Sequence, residues 1–363
     1  MHSADSYFNR KLELREELQM LRRLQTDKAS IDFSSNDYLG LAQQEYALTS
    51  KGSTGSRLLS GNSKAILQLE AELASFYHAS EAILFPTGFQ ANIGLLSTLG
   101  ERSDTYLIDS NIHASMKSGA RISSSKHWKF EHNNLVDLEQ KLAKAGGKIW
   151  VFIEALYSMS GSIAPLQKIS DLCEKYEAFL IVDEAHSNGI YGKNGEGLVS
   201  QLNLERKVTA RVMTFGKAFG AEGAVVLGSK KLKDYLVNYC HSFIYSTAPS
   251  SGFINSLHHQ LDAVKKAHLQ RNQLFKNIHL FRSLKKSVNF QWTESSSPIQ
   301  SLIVGEVGRA KQFANFLRNK GFYIFPILSP TVPLGKEQIR FCLHSFNTSE
   351  EINLLFQSIQ EFK

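Results

Sequence analysis

Apolar runs of strand length that break abruptly into small and polar residues constrain this chain more than any other feature. The densest set lies between Phe179 and Gly228. There Phe179-Leu180-Ile181-Val182 runs into Asp183-Glu184-Ala185-His186, and Arg211-Val212-Met213 runs into Thr214-Phe215-Gly216-Lys217. Continuous apolar runs of this length read as parallel strands buried on both faces, and their polar carboxyl ends open into a ligand crevice. The pattern gathers an acid, an imidazole, a hydroxyl and an amine on one rim. An amine that can form a Schiff base and an acid that can face a pyridinium nitrogen are the two groups a pyridoxal phosphate site needs. Taken singly, each has a plainer explanation: a strand-ending acid usually caps or anchors a loop, and a lysine after glycine is usually on the surface.

Upstream runs repeat the design. Ala82-Ile83-Leu84-Phe85 leads through Pro86-Thr87-Gly88-Phe89-Gln90-Ala91-Asn92 into a helix. Glycine and free amides at a helix start suit a phosphate, although an ordinary strand-to-helix turn looks the same. Tyr106-Leu107-Ile108-Asp109 ends in Ser110-Asn111-Ile112-His113-Ala114-Ser115, and Ile149 to Glu154 ends in Ala155-Leu156-Tyr157-Ser158. Helical patterns between these runs predict right-handed β–α–β units and a mainly parallel sheet. Residues 6–25 carry Leu14, Leu18 and Leu21 at helical spacing. A helix with Ile66, Leu69, Leu73 and Phe76 on one face follows the Gly- and Ser-rich stretch Lys51–Asn62. That stretch lacks the GxxxxGK[ST] pattern, so a P-loop is not expected, and Gly192–Gly197 does not form a GxGxxG between strand and helix.

Beyond Gly228 the character changes. Residues 254–284 predict one long helix bearing His258, His259 and His268, which read as surface because carboxylate partners at ligand spacing are missing. From Gln300 onward, short strands alternate with helices over Arg309–Lys320 and Ser349–Phe362, a smaller α+β domain. The expected division is an N-terminal helical segment over 1–35, a large domain over 36–255 and a small one over 256–363.

Composition excludes other classes. The 363 residues are 42% hydrophobic and 21% charged, an ordinary globular balance. The formal charge of +7 is spread without a dense basic run, so nucleic acid is not an expected partner, although an anionic substrate would benefit. The three cysteines lie far apart with no CxxC or HExxH, against a disulfide framework or a familiar zinc motif. No apolar run approaches the ~20 residues that span a bilayer. No membrane association is expected, and with acidic residues Glu13, Glu16 and Glu17 near the start, the expectation is a cytoplasmic protein.

Seven motifs in order carry a family resemblance: Ser35–Gly40, Thr87–Asn92, Asn111–Ser115, Tyr157–Met159, Asp183–His186, Thr214–Gly220 and Pro330–Pro333. The chain resembles the α-oxoamine synthases, which join an amino acid to an acyl thioester with loss of carbon dioxide. The resemblance runs from about Arg22 to Arg340. It implies a pyridoxal-phosphate-dependent transferase of fold type I, with a mainly parallel seven-stranded large domain and a smaller C-terminal domain. It further implies that Lys217 holds pyridoxal 5'-phosphate, Asp183 keeps its ring nitrogen protonated and His113 stacks on the ring. Gly88, Phe89 and Thr214 would meet the phosphate, and Ser158 and His186 the ring and its phenolic oxygen. Ser246 and Thr247 would serve the phosphate of a neighbouring subunit, implying a homodimer with shared sites. Arg22, Asn36, His113, Thr331 and Arg340 would serve the substrates, an amino acid and an acyl group on coenzyme A or acyl carrier protein. Glycine with acetyl-CoA and serine with a long acyl chain remain open, as does, remotely, a non-catalytic scaffold that binds acyl carriers. Four departures from the family pattern fall where the acyl donor would lie: a short segment after Gly40, Ile66, Glu222 and Leu328.

Overall fold

The computed structural model describes residues 12–21, 31–44, 50 and 52–362. Tertiary contacts divide the described chain into two compact units. The larger comprises Asn36–Ser158 and Ile163–Asn272, and the smaller holds the described residues up to Ser35, Met159–Ser162 and Gln273 onward.

After a two-residue strand β1 (Ile31–Asp32) come the seven strands of the larger unit: β2 (Glu81–Phe85), β3 (Thr105–Asp109), β4 (Lys126–Phe130), β5 (Ile149–Glu154), β6 (Phe179–Asp183), β7 (Ala210–Thr214) and β8 (Ala224–Gly228). They form one sheet in the order β2-β8-β7-β6-β5-β3-β4. The pairs β4–β3, β3–β5, β5–β6 and β6–β7 are parallel, and only β8 runs antiparallel to its two neighbours. The mainly parallel sheet expected from the apolar runs is therefore present. Every residue of β5 is buried, as are Leu180–Asp183 of β6, which is why these strands read as uninterrupted apolar runs rather than alternating ones. The register sets Glu154 beside Asp183, so two carboxylates end adjacent strands.

The helix Lys64–Phe76 buries Ile66, Leu69, Leu73 and Phe76, the face expected from spacing. Ser63 caps it by accepting from the Ile66 amide. The helix expected over 254–284 is two helices, Ser251–Lys266 and His268–Leu284, broken at Ala267. Neither glycine nor proline marks the break. Instead Arg271 Nη1, from the first turn of the next helix, donates to the Val264 carbonyl at 2.7 Å, a side-chain cap invisible to periodicity.

The smaller unit contains a four-stranded antiparallel sheet in the order β12 (Pro326–Ile327), β13 (Gln338–Cys342), β10 (Ile299–Ile303), β9 (Gln291–Trp292), and β1 pairs parallel with β11 (Phe322–Tyr323). Helices Val307–Asn319 and Ser349–Glu361 match the expected pair within two residues. The second begins with a capping box between Thr348 and Glu351. Phe281 packs edge-on against Phe356 and Trp292 to close this core.

Candidate active site

The carboxyl ends of the parallel strands in the larger unit surround a cavity of about 390 Å³. Its lining includes Gly88, Phe89, His113, Asp183, His186, Thr214 and Lys217. Seven residues spread over 130 positions of sequence are thus gathered by four strand ends.

One wall is the turn after β2. Thr87 caps the helix Gly88–Leu99 by accepting from the Gln90 amide at 3.1 Å. The Gly88 and Phe89 amides belong to the first turn and have no acceptor within the helix, which makes the turn an anion cradle. A Cβ on Gly88 would lie 2.4 Å from Thr214 Cγ2, so only glycine lets this turn approach the end of β7. Thr214 Oγ1 is buried there without a hydrogen-bond partner. A buried donor beside free amides fits a phosphate oxygen.

Lys217 follows Thr214 in the β7–β8 connection. The Phe215 amide donates to the Gly223 carbonyl at 2.9 Å, and the Gly220 amide to the Lys217 carbonyl at 2.8 Å. This loop holds the half-buried lysine at the cavity wall. Opposite in charge is Asp183, 5% exposed, whose Oδ2 accepts from Asn92 Nδ2 at 2.7 Å and whose Oδ1 accepts from the Ala185 amide at 2.8 Å. These two N–H donors fix the carboxylate in place, as a partner for a pyridinium nitrogen requires. His186 Nδ1 lies 2.8 Å from the Tyr38 hydroxyl, which donates to Asn36 Oδ1 at 3.1 Å. His113 is held by Ser115, whose Oγ and amide lie 2.7 and 3.2 Å from Nδ1. Burial lowers the proton affinity of His113, Asp183 opposes that, and Lys217 and Lys117 reinforce it. The amine, acid, imidazole and anion cradle therefore suit pyridoxal phosphate, and the cavity lies within the usual range for a small-molecule site.

The aminotransferase class I and II model matches residues 28–359. An 8-amino-7-oxononanoate synthase from Lysinibacillus sphaericus is 34% identical over 377 residues, covering 98% of this chain and 97% of that protein. A solved 8-amino-7-oxononanoate synthase from Francisella tularensis is 29% identical with a TM-score of 0.79, over 91% of this chain and 97% of that one. A solved SPT, a serine palmitoyltransferase carrying pyridoxal phosphate, is 25% identical with a TM-score of 0.89, over 99% and 98%. The chain belongs to the aminotransferase class I and II family, and within it to the α-oxoamine synthases.

Not every expected residue of this α-oxoamine synthase lines the cavity. Ser158 is buried, with its amide donating to Glu154 Oε2 at 3.2 Å, and is not part of the lining. Ser246 donates to the Ser242 carbonyl, Thr247 bridges to Ser56, and neither lines the cavity; Asn36 is also outside it. Arg340, on β13, and Thr331, exposed in the turn after Pro330, lie in the smaller unit. Arg22 lies outside the described residues.

Three residues escaped the sequence reading as site groups: Glu154, Asn92 and Ser115. Glu154 lines the cavity at 3% exposure, and burial, then the Asp183 carboxylate, push its pKa up to about 8. Its signal was a charged residue ending a fully apolar run. Asn92 follows Gly88 by four residues, the spacing that puts both on one helix face. Of the four departures, Glu222 alone joins the lining, as an exposed carboxylate. The three cysteines are free and buried. Among the described residues no group of His, Cys, Asp and Glu could hold a metal, and His258 pairs with Glu72 at 2.9 Å. No described helix is long and apolar enough to cross a membrane.

Proposed function

We propose that this protein condenses L-alanine with a pimeloyl thioester, on coenzyme A or acyl carrier protein, releasing carbon dioxide and the thiol and forming 8-amino-7-oxononanoate. The supporting observation is the placement of Lys217 and Asp183 in one cavity whose wall is the Gly88 helix start. Synthases of that name, similar over nearly the whole chain, support the choice of substrates. Pyridoxal phosphate, when bound, supplies an electron sink that makes the amino-acid α-carbon acidic and accepts the electrons freed by decarboxylation.

The protein's own residues do the rest. Lys217 Nζ is the amine that holds the cofactor and moves the proton at the α-carbon. Asp183 keeps the ring nitrogen protonated, and the Gly88 and Phe89 amides with Thr214 Oγ1 hold the phosphate. His113 stacks on the ring, while His186 and Ser158 serve its ring substituents. Arg340 takes the amino-acid carboxylate as a charge-assisted pair, with Arg22, Asn36 and Thr331 serving the substrates. Ser246 and Thr247 complete the phosphate site of a second copy, so the working form is a homodimer, acting in the cytoplasm.

The test is a matrix of alanine, glycine and serine against pimeloyl, acetyl and palmitoyl thioesters, scored by thiol release and carbon dioxide. Alanine with pimeloyl should lead. A preference for glycine with acetyl-CoA, or for serine with palmitoyl-CoA, would overturn the substrates and leave the chemistry. Thioester binding without release of either product would show a scaffold.

A further inference from the structure

Asp183 and His113 are joined by two buried side chains that the proposed chemistry does not use directly. Asn92 is 2% exposed and Ser115 fully buried. Asn92 Nδ2 donates to Asp183 Oδ2 at 2.7 Å and to Ser115 Oγ at 3.0 Å. Ser115 Oγ lies 2.7 Å from His113 Nδ1, and the Ser115 amide donates to the same nitrogen at 3.2 Å.

The direction of each hydrogen follows in turn. An ionised carboxylate only accepts, so Asn92 must turn its amide nitrogen toward Asp183. That leaves Asn92 Oδ1 buried without a partner, a cost borne to keep both N–H groups aimed at Asp183 and Ser115. Ser115 Oγ, already accepting from Asn92, gives its single hydrogen to His113 Nδ1. A backbone N–H faces that nitrogen too, so Nδ1 must present a lone pair.

We propose that Asn92 and Ser115 are positioning residues that tie the orientation of His113 to Asp183 and fix the tautomer of its imidazole, with the proton on Nε2. The bond from the Ser115 amide also caps the helix Ala114–Ile122, and a cap alone would explain it. The chain through the hydroxyl to Asn92 and Asp183 is what a cap does not need. The lowered proton affinity of buried His113 agrees with a neutral ring.

The inference rests on the proposed function only for the role of His113; the tautomer is measured without turnover. Nitrogen NMR on the full-length protein carrying 15N-histidine, with and without pyridoxal phosphate, reads which His113 nitrogen bears hydrogen. The wild type should show Nε2–H in large excess. Ser115→Ala should cut that excess about fivefold, the worth of one net hydrogen bond, while Ser115→Thr restores it. Asn92→Asp should cut it similarly, because it removes the amide donor to Ser115 Oγ and leaves that hydroxyl free to turn its hydrogen away from His113. A protonated Nδ1 in the wild type would overturn the proposal, even if no variant folds. So would a tautomer ratio unmoved in both Ser115→Ala and Asn92→Asp. An inactive protein with the Nε2–H ring would refute the proposed function and leave this inference standing.

Discussion

Glu154→Gln isolates the least expected group in the cavity. The wild-type carboxyl ends β5 beside Asp183 of β6, 3% exposed. Burial and then Asp183 raise its pKa from 4.5 to about 8, against the pull of Lys217 and the Ser158 and His113 amides. A group whose folded pKa is raised contributes stability that is complete below its unfolded value. That contribution is lost as pH climbs through the folded value, because the folded state binds the extra proton across the window. The slope is about 1.4 kcal/mol per pH unit, so between pH 5 and pH 7 the wild type should lose roughly 3 kcal/mol that the variant keeps. Glutamine preserves the shape and never ionises, and the titrations of groups that do not face Glu154 cancel in the difference. The assay is urea denaturation of both proteins without cofactor at pH 5, 6, 7 and 8. The variant's advantage should grow steadily with pH. A flat difference would mean that Glu154 is ionised in the folded protein throughout, and the reading of two carboxylates with one charge would be wrong.

Other perturbations address single contacts. Lys217→Ala should abolish the visible absorbance of the cofactor-loaded protein and all turnover with an unchanged circular dichroism spectrum; retained turnover would remove Lys217 from the chemistry. Asp183→Asn should lower kcat by about a hundredfold or more while cofactor affinity changes far less, since shape stays and charge goes; parallel losses would point to a structural role. Gly88→Ala drives a methyl to within 2.4 Å of Thr214 Cγ2, so pyridoxal phosphate affinity should fall about tenfold, measured by fluorescence titration, and an unaltered affinity would place the phosphate elsewhere. Arg211→Ala strands the buried Glu184, now paired at 3.1 Å, and should cost about 3–5 kcal/mol by denaturation; a cost below about 1 kcal/mol would show that the pair is dispensable.

The strands were readable because burial on both faces makes them continuous apolar runs, and their polar ends marked the cavity. Helix faces such as Ile66–Phe76 were readable for the same reason, through a period of 3.6 rather than contiguity. The break at Ala267 was not, because it depends on Arg271 reaching back to Val264 and on no local breaker. Motifs carry Lys217, Asp183 and His113 to one site, but Asn92 and Ser115, within the same motifs, have no signal of their contacts in the sequence. Their significance is a set of distances between helices, which spacing along one helix does not express.

Glu154 shows where sequence reading stops for a physical reason. It and Asp183 are 29 positions apart, and only the parallel register of β5 on β6 brings them side by side. Two like charges there, out of water, cannot both be sustained cheaply. Their surroundings decide which acid keeps its proton. Asp183 receives the Asn92 side-chain amide at 2.7 Å and the Ala185 amide at 2.8 Å, whereas Glu154 Oε2 accepts from the Ser158 amide at 3.2 Å. Burial and the neighbouring Asp183 carboxylate outweigh this longer bond and the pull of Lys217 and the His113 amide, and favour the proton on Glu154. The acid that must face a pyridinium nitrogen is therefore the one Asn92 supports, and the neighbouring acid stays neutral so that it can.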